Sequence, residues 1–386
     1  MTIKFKDLID EAIDFRHYLH SNPEIGWSEF NTAKKIREKL EKYNISYIEC
    51  VKTATIATIG NSLKGDHIAL RADIDALPIE EKTDLPYKSK VNKVMHACGH
   101  DGHTATLLAT AIWLKQHENS LKGPVTFIFQ PAEEGGHGAK KILDEGVLNN
   151  IDFIYGWHNW PEIKFGKAAC PIGPIMAANA TFHIEVIGKG GHSSQPEKCR
   201  DPIIAASTIV NSLQHIISRR ISPHKKAVLS ITKMNAGSSI TTIPDSVKIE
   251  GIMRIETTSL RDHIGKMITK ISHDIATAYE TKAIIEIKPR YNATINYEKA
   301  ALKMRSSIEE IFGKDWESDI PLPVMASEDF SYYLQKIPGA YALLGSDDGN
   351  NHNIICHNSK YDFNDKLIEP ASKLLINLVD TNKKII

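Results

Sequence analysis

The sequence lacks the marks of a secreted, membrane-spanning or nucleic-acid-binding protein. Its 386 residues include five cysteines, an odd and scattered set that does not resemble a disulfide framework. No apolar run approaches the length needed to cross a bilayer, and the chain starts without the apolar segment of a secretory signal. The formal net charge is zero, so no overall charge attracts nucleic acid or an anionic membrane. We therefore expect a cytoplasmic protein that acts on a small molecule.

The composition is that of an ordinary globular protein, with 42% hydrophobic and 24% charged residues. Neither internal repeats nor low-complexity segments interrupt it. Because 386 residues are many for a single domain, we expect two.

Potential metal ligands are most concentrated between Val94 and Ala105, in the stretch VMHACGHDGHTA. Cys98 and His100 lie two positions apart, so a turn at Gly99 would aim a thiolate and an imidazole at one point, a pair suited to zinc or another late divalent metal. The alternative is a buried cysteine and surface histidines on a glycine-rich loop. The two glycines of this stretch predict a loop here, followed by a helix from Thr104 to Gln116.

Strands and helices alternate along the first part of the chain. Two helices separated by Pro23 and Gly26 are followed by strand-like runs in TATIATIG, HIALRADIDALP, PVTFIFQ and IDFIYGWHNWP. This alternation predicts an α/β domain with a mostly parallel sheet. Ligands of such sheets bind beyond the carboxyl ends of the strands.

Acidic residues and a histidine follow these predicted strands. Asp73 and Asp75 lie on one side of a strand that ends near Leu77, Glu133 and Glu134 follow the next strand, and a third strand ends at His158. Because these strand ends meet at one sheet edge, we expect the side chains to converge there with the Cys98 loop.

A second domain is predicted between two parts of the first. The composition turns small and proline-rich near residue 170, and strand-helix-strand patterns typical of a small α+β domain follow. We predict a catalytic domain formed by residues 1–178 and 293–386, with residues 179–292 inserted as a lid and dimerisation domain.

Short motifs extend over nearly the whole chain: RHYLHSNPEIGWSE, RADIDALPI, MHACGHDGHTA, FQPAEEGGHGA, GWHNWP, GKGGHSSQPEKCRDPI, SEDFSYYL and HNSKYDFND. In this order they resemble the metal-dependent amidohydrolase family of aminoacylase, hippurate hydrolase, indoleacetyl-amino acid hydrolase and N-acetyldiaminopimelate deacetylase. The resemblance implies two divalent metal ions per subunit, with ligands Cys98, His100, Glu134, His158 and His357.

The resemblance also implies roles for residues around the metals. Glu133 is the general acid/base, and Asp73 or Asp75 orients a ligand histidine, a choice that the sequence leaves open. His192, in GKGGHSS, stabilises the oxyanion and reaches the site from the inserted domain. We expect a homodimer in which each site receives this histidine from the other subunit. Thiolate and imidazole favour zinc or nickel, whereas carboxylates admit manganese or cobalt, and we expect manganese or zinc.

The substrate pocket is the part in which this chain departs from the family pattern. Arg254 and Arg290 are both candidates to hold a substrate carboxylate. Thr241 stands where relatives commonly have asparagine, and Cys199 stands where glycine is usual. These departures concern substrate identity and do not affect the metal ligands.

The leading hypothesis is hydrolysis of N-acyl-amino acids, hippurate-like or N-acetylated, to a carboxylate and a free amino acid. A dipeptidase or carboxypeptidase with the same centre is the alternative, and a non-catalytic binding protein is a weaker one because Glu133 and the ligands are all present. Nucleophilic catalysis by Cys98 would leave the glutamate pair without a function. The phosphate-binding spacing GxxxxGK[ST] is absent from the glycine-rich GKGGHSS loop.

Overall fold

The structure is a computed structural model that describes residues 3–382 and 384–386. The chain divides into two compact units. The first contains the residues up to Ile175 together with Ile295–Pro321 and Asp329–Ile386, and the second contains Met176–Thr294 and Leu322–Glu328. The boundaries at 178/179 and 292/293 remain our proposal for the domains. The sequence pattern did not indicate that Leu322–Glu328 belongs to the second unit.

The first part of the first unit alternates helices and strands, as the pattern predicts. Two helices flank the break at Pro23 and Gly26, α1 (Phe5–Ser21) and α2 (Phe30–Lys42). The following elements are β1 (Tyr47–Cys50), β2 (Ala54–Ile59), β3 (Ile68–Asp73), α3 (His100–Gln116), β4 (Val125–Gln130), α4 (Glu133–Gly136), α5 (Gly138–Asp144), β5 (Phe153–Lys164), β6 (Ala168–Ala169) and β7 (Gly173–Met176).

The second unit is an antiparallel sheet with two long helices. Its elements are β8 (Ala178–Ile187), β9 (Gly191–His192), α6 (Pro202–His215), β10 (Ala227–Ala236), β11 (Thr242–Ile243), β12 (Ser246–Ile255), α7 (Thr258–Ala278) and β13 (Lys282–Pro289). The sheet has the order β10-β12-β8-β13, and alternate residues of β8 and β12 pack with α6 and α7 into a separate hydrophobic core. This is the α+β arrangement expected from its strand-helix pattern.

The last part of the chain completes the sheet of the first unit. It contains β14 (Thr294–Asn296), α8 (Glu298–Phe312), α9 (Ser331–Leu334), β15 (Gly339–Asp347) and α10 (Ile368–Leu378). The seven-stranded sheet has the order β1-β2-β4-β3-β5-β15-β6. Strands β4, β3, β5 and β15 run parallel, and antiparallel strands flank them. The predicted α/β fold with a largely parallel central sheet is therefore confirmed.

Two predicted strand ends were wrong. Strand β3 ends at Asp73 rather than near Leu77, because the backbone then leaves the sheet: the N–H of Ala76 donates to Glu24 and that of Leu77 to Met95. Strand β5 continues to Lys164 instead of ending at His158, because β15 pairs with it beyond the end of β3.

The predicted loop over the cysteine-histidine stretch was also wrong in part. Helix α3 begins at His100 instead of Thr104, so the first turn contains Gly102 and His103. The first turn can pack against the ring of Phe363 because Gly102 has no Cβ, which would come within 2.4 Å of ring carbons. Helix α3 packs between α1 and α10 in the main core.

None of the helices in the described ranges combines the length and apolarity that a bilayer crossing requires.

Candidate metal centre and active site

A tight turn at Gly99 directs Cys98 and His100 to the same point. Gly99 has φ 90°, in the left-handed region that favours glycine, and an added Cβ would lie 2.3 Å from Oδ1 of Asn159. The Sγ of Cys98 is 3.4 Å from Nε2 of His158. Donor atoms of Cys98, His100 and His158 all lie within 4.8 Å of one another, and all three side chains are buried.

His158 reaches this point although it lies within β5. The register pairs Leu70 with Tyr155, so His158 is level with Asp73, the last residue of β3. The longer strand therefore places the histidine at the edge where its shorter neighbour ends.

The two adjacent glutamates enter the cluster from the turn after β4. Ala132 has φ 53°, and its N–H donates to Oε1 of the buried Glu29 at 2.9 Å. Glu133 is 6% exposed and accepts a hydrogen bond from the N–H of Asp329 at 3.3 Å. Donor atoms of Glu133 and Glu134 lie within 4.8 Å of a nitrogen of His100. Burial and the nearby Asp75 carboxylate raise the pKa of Glu29 to about 7.

His357 joins from the segment between β15 and α10. Its N–H donates to the carbonyl of Ala97 at 2.7 Å, which fixes this segment beside the Cys98 turn. Its Nε2 lies 2.9 Å from Oε1 of Glu134. Cys98, Glu134 and His357 thus form a second donor group that shares Cys98 with the first.

The hydrogen bonds of two histidines leave a nitrogen lone pair directed into the cluster. Nδ1 of His100 donates to the carbonyl of Asp75 at 2.9 Å, and Nδ1 of His158 donates to the carbonyl of Asn159 at 2.6 Å. Because a carbonyl only accepts, Nε2 is the unprotonated nitrogen in the neutral form of each ring. Nε2 of His100 is buried without a hydrogen-bond partner in the described part of the chain.

The charges around the cluster also favour a cation. Burial lowers the pKa of His100, but Asp73 and Asp75 outweigh it and raise that pKa to about 10. Burial and the neighbouring His103 lower the pKa of His158 well below its usual value, which keeps that ring neutral. A buried thiol, two imidazole lone pairs and carboxylates are donors that fit late divalent metal ions.

Asp73 and Asp75, which the sequence could not separate, have different contacts. Asp73 accepts from Nδ1 of His103 and from Arg71, both at 2.6 Å. Asp75 lies against Nδ1 of His100 and accepts the N–H of Glu134 at its Oδ2, at 3.0 Å. Burial raises the pKa of Asp73, but His100 and Arg71 outweigh it and hold that pKa well below the usual range.

His103 has partners on both ring nitrogens. Nδ1 faces Asp73, and Nε2 lies 2.8 Å from Oδ1 of Asn159, whose Nδ2 donates to the hydroxyl of Tyr361 at 2.7 Å. Both ring nitrogens of His103 therefore face residues outside the proposed ligand set, although one of them lies within 4.8 Å of donor atoms of Asp73 and His100.

Sequence reasoning missed several polar residues that support these donors. Arg71 is buried between Asp73 and Asp329, and Glu29 holds the turn before Glu133. A charged residue within the apolar run IALRAD was a usable signal for Arg71. For Glu29 and Asn159 only the fold supplies the contact.

The remaining predicted residues belong to the second unit and form two groups there. His192 pairs with Thr242 between β9 and β11, and the N–H of Ser193 donates to the carbonyl of Thr241 at 3.0 Å. The imidazole of His192 is exposed, with Nδ1 2.7 Å from the hydroxyl of Ser194. His192 and Thr241 therefore lie close together and exposed, on two separate segments that pair through β9 and β11.

Arg254 and Arg290 flank Asn179 at one end of the second sheet. Arg254 is opposite Asn179 in the β12–β8 register, and the N–H of Arg290 donates to the carbonyl of Asn179 at 3.1 Å. Burial and the nearby Arg290 lower the pKa of Arg254. Two neighbouring cations suit an anionic ligand.

Comparison with known proteins supports the geometric interpretation. A sequence profile described as peptidase family M20/M25/M40 matches residues 69–381. An N-acetyl-L-cysteine deacetylase of Bacillus subtilis is 41% identical over 89% of this chain and 82% of its own. A hippurate hydrolase of Campylobacter jejuni is 40% identical over 95% of both chains. The crystal structure of Bacillus subtilis YXEP superimposes on this chain with a TM-score of 0.84 at 35% identity. The match covers 97% of this chain and 98% of that chain, and YXEP is described as a dinuclear metal-binding peptidase of the M20 family.

Proposed function

This chain belongs to peptidase family M20/M25/M40 and is a metal-dependent amidohydrolase, and we propose that it cleaves the amide bond of N-acyl-amino acids. The products would be a carboxylate and a free amino acid. Hippurate-like and N-acetylated amino acids are the substrates we propose, since proteins named for such substrates align over most of the chain.

One observation carries this proposal: donors from distant parts of the first unit converge beside Glu133. We propose that Cys98, His100, Glu134, His158 and His357 hold two divalent ions, manganese or zinc, with nickel or cobalt as alternatives. The donor groups that share Cys98, the unpartnered Nε2 of His100 and the similarity to the dinuclear metal-binding YXEP support this assignment. When bound, such ions lower the pKa of water and polarise a carbonyl oxygen.

Glu133 is the proposed proton carrier. Its carboxylate is 6% exposed and lies beside the ligands, so it takes a proton from the attacking water and returns it to the departing amine nitrogen. The adjacent Glu134 has a different task as a ligand, since its Oε1 is 2.9 Å from Nε2 of His357.

We propose Asp75 rather than Asp73 as the acid that orients the ligands. Asp75 contacts both His100 and the backbone of Glu134, whereas Asp73 is engaged with His103 and Arg71. The contacts of Asp75 restrict the orientation of two donors at once.

The second unit supplies the proposed contacts to substrate. His192 donates to the oxyanion that forms from the scissile carbonyl, and Thr241, on the segment paired with that of His192, contacts the substrate. Arg254 or Arg290 holds the substrate carboxylate, and their proximity beside Asn179 supports a site for an anion.

We further propose a homodimer formed through residues 179–292, in the cytoplasm. Strand β10 is an edge strand whose last residues are exposed, and such an edge can pair with a second copy. All five cysteines are free, including the proposed ligand Cys98, which fits a reducing compartment. Sedimentation of the purified protein would test the dimer.

The decisive experiment assays metal-free and reconstituted protein against hippurate and a panel of N-acetyl-amino acids. Glu133→Gln is expected to retain bound metal and to lower turnover by roughly 10²–10⁴-fold, since a proton carrier is removed. Glu134→Gln, next to it, is the matched control and is expected to lose metal. An active Glu133→Gln protein would contradict the assignment of the proton carrier.

A peptidase activity is the second candidate, because the similar YXEP structure is described as that of a peptidase. Dipeptides with free amino groups belong in the same panel. Turnover of dipeptides without turnover of any acyl-amino acid would replace our proposal by this one.

A further inference from the structure

Two thiols meet beside the proposed metal centre although 258 positions separate them in the chain. The thiol of Cys356 donates a weak hydrogen bond to the carbonyl oxygen of Cys98, with a distance of 3.9 Å from Sγ to the oxygen. The N–H of His357 donates to the carbonyl of Ala97 at 2.7 Å, so the backbones that carry the thiols are joined one residue away. The fold therefore brings the two cysteines side by side.

Only one of these thiols belongs to the proposed donor groups. Within the described residues, the donor groups that could hold a metal ion include Cys98 twice and do not include Cys356. The Sγ of Cys356 instead accepts a weak hydrogen bond from Nδ2 of Asn159 at 3.9 Å. A second thiol thus lies within reach of a ligand thiol without being a ligand itself.

We propose that Cys98 and Cys356 are a modification site, an oxidisable pair that a hydroperoxide converts to a disulfide with release of metal. That the disulfide lowers activity rests on the proposed function; its formation does not. A sulfur in a disulfide lacks the negative charge with which a thiolate binds a metal, so oxidation removes one ligand from the centre.

The reaction proceeds in two balanced steps. The sulfur of Cys356 attacks a peroxide oxygen, an S–O bond forms, the O–O bond breaks, and water or an alcohol leaves, so that Cys356 becomes a sulfenic acid. The sulfur of Cys98 then attacks that sulfur, an S–S bond forms, the S–O bond breaks, and the hydroxyl leaves as water with the proton of Cys98. Two thiols lose two electrons and two protons, and the peroxide is reduced.

Exposure decides which sulfur reacts first. Cys98 is buried, with 8% of its surface exposed, and Cys356 is half-buried. The peroxide therefore reaches Cys356 before Cys98, and bound metal protects Cys98 further. Because the second step is fast for neighbouring sulfurs, the disulfide forms before Cys356 is oxidised beyond the sulfenic acid.

The test treats the metal-loaded protein and the metal-free protein with hydrogen peroxide. The cross-linked peptide, the metal content and the hydrolysis of the best acyl-amino acid are measured together. We expect a Cys98–Cys356 peptide in both samples, formed several-fold faster without metal, loss of metal in step with its formation, and recovery after a dithiol and fresh metal.

Cys356→Ser is expected to retain metal and activity before oxidation and to form no reversible cross-link. Cys170→Ser, which removes a buried thiol that accepts from Asn296, is the matched control and should behave as the unaltered protein. Absence of the cross-linked peptide, or direct oxidation of Cys98 to a sulfinic acid in the unaltered protein, would overturn the inference. If the protein hydrolyses none of the substrates, the peptide and metal measurements still decide it.

Discussion

Asp73 and Asp75 show how two identical side chains, two positions apart, acquire different tasks. Asp75→Asn is expected to weaken metal binding by roughly 10–100-fold, because it loosens the orientation of His100 and Glu134. Asp73→Asn is expected mainly to lower the free energy of unfolding, because it removes a partner of the buried Arg71. Metal titration and denaturant unfolding of both variants check this, and the opposite ranking in metal affinity would reject our choice.

His20 predicts a pH dependence of stability. Burial lowers its pKa, but hydrogen bonds to Asp101 and Glu81 outweigh burial and raise that pKa to about 9. Because the folded value exceeds that of an unfolded histidine, about 6.5, the stabilisation is complete below pH 6.5 and is lost as pH rises toward 9.

We therefore expect His20→Gln to reduce the free energy of unfolding more at pH 6 than at pH 9.5. Denaturant unfolding at both pH values measures the difference. The exposed His224, changed to Gln, is the control and should show the same small effect at each pH. An effect of His20→Gln that is constant with pH would show that its charge does not stabilise the fold.

At the scale of elements, the position of helix α3 depends on the absence of a side chain at Gly102. Gly102→Ala should lower the free energy of unfolding by about 1–3 kcal/mol, because the added Cβ would lie 2.4 Å from ring carbons of Phe363. Gly265→Ala in α7 is the control, since its Cβ would meet Ile287 at an ordinary 3.4 Å.

We expect that control to be neutral or slightly stabilising, by about 0.5–1 kcal/mol, because alanine leaves the unfolded chain less conformational freedom than glycine does. Thermal unfolding of the two variants gives the comparison. Equal effects would mean that the ring of Phe363 moves aside freely.

Arg16 connects helix α1 to α3 and to the segment that follows His357. Its guanidinium is fully buried and pairs with Asp101 in the first turn of α3, at 2.9 Å, and with Asp362 and Asp365 in the segment after His357. One side chain thus joins the elements that carry His100 and His357. The motif RHYLHSNPEIGWSE contains this arginine, but its partners lie too far along the chain for spacing to indicate them.

At the scale of the molecule, the two units have separate cores, and the proposed metal ligands belong to the first. Removing metal with a chelator should therefore lower the melting temperature of the first unit, because an ion that binds only the folded state stabilises it by mass action. The transition of the second unit should not change.

Calorimetry with and without added metal measures both transitions, and Cys98→Ser should abolish the metal-dependent shift. A shift of equal size in Cys98→Ser would show that the metal binds elsewhere. A second transition that responds to metal would contradict the placement of the ligands.

Local sequence determined the elements whose cause is local. Hydrophobic periodicity and the break at Pro23 and Gly26 were sufficient for α1 and α2, and apolar runs bounded by turn residues were sufficient for the parallel strands. The close spacing of Cys98 and His100, and the adjacent Glu133 and Glu134, were sufficient to predict a candidate site. His357 was distinguished from its neighbours only by the family resemblance.

Tertiary structure decided whatever depends on partners distant in the chain. The close packing at the start of α3 depends on the ring of Phe363, and the length of β5 depends on β15. The different contacts of Asp73 and Asp75 depend on His103 and on the turn after β4. The contact between the Cys356 thiol and the Cys98 carbonyl is of the same kind, since it lies where the segment of His357 packs against that of Ala97. Spacing along a chain reports geometry within a helix or strand, whereas these features arise where separate segments pack together.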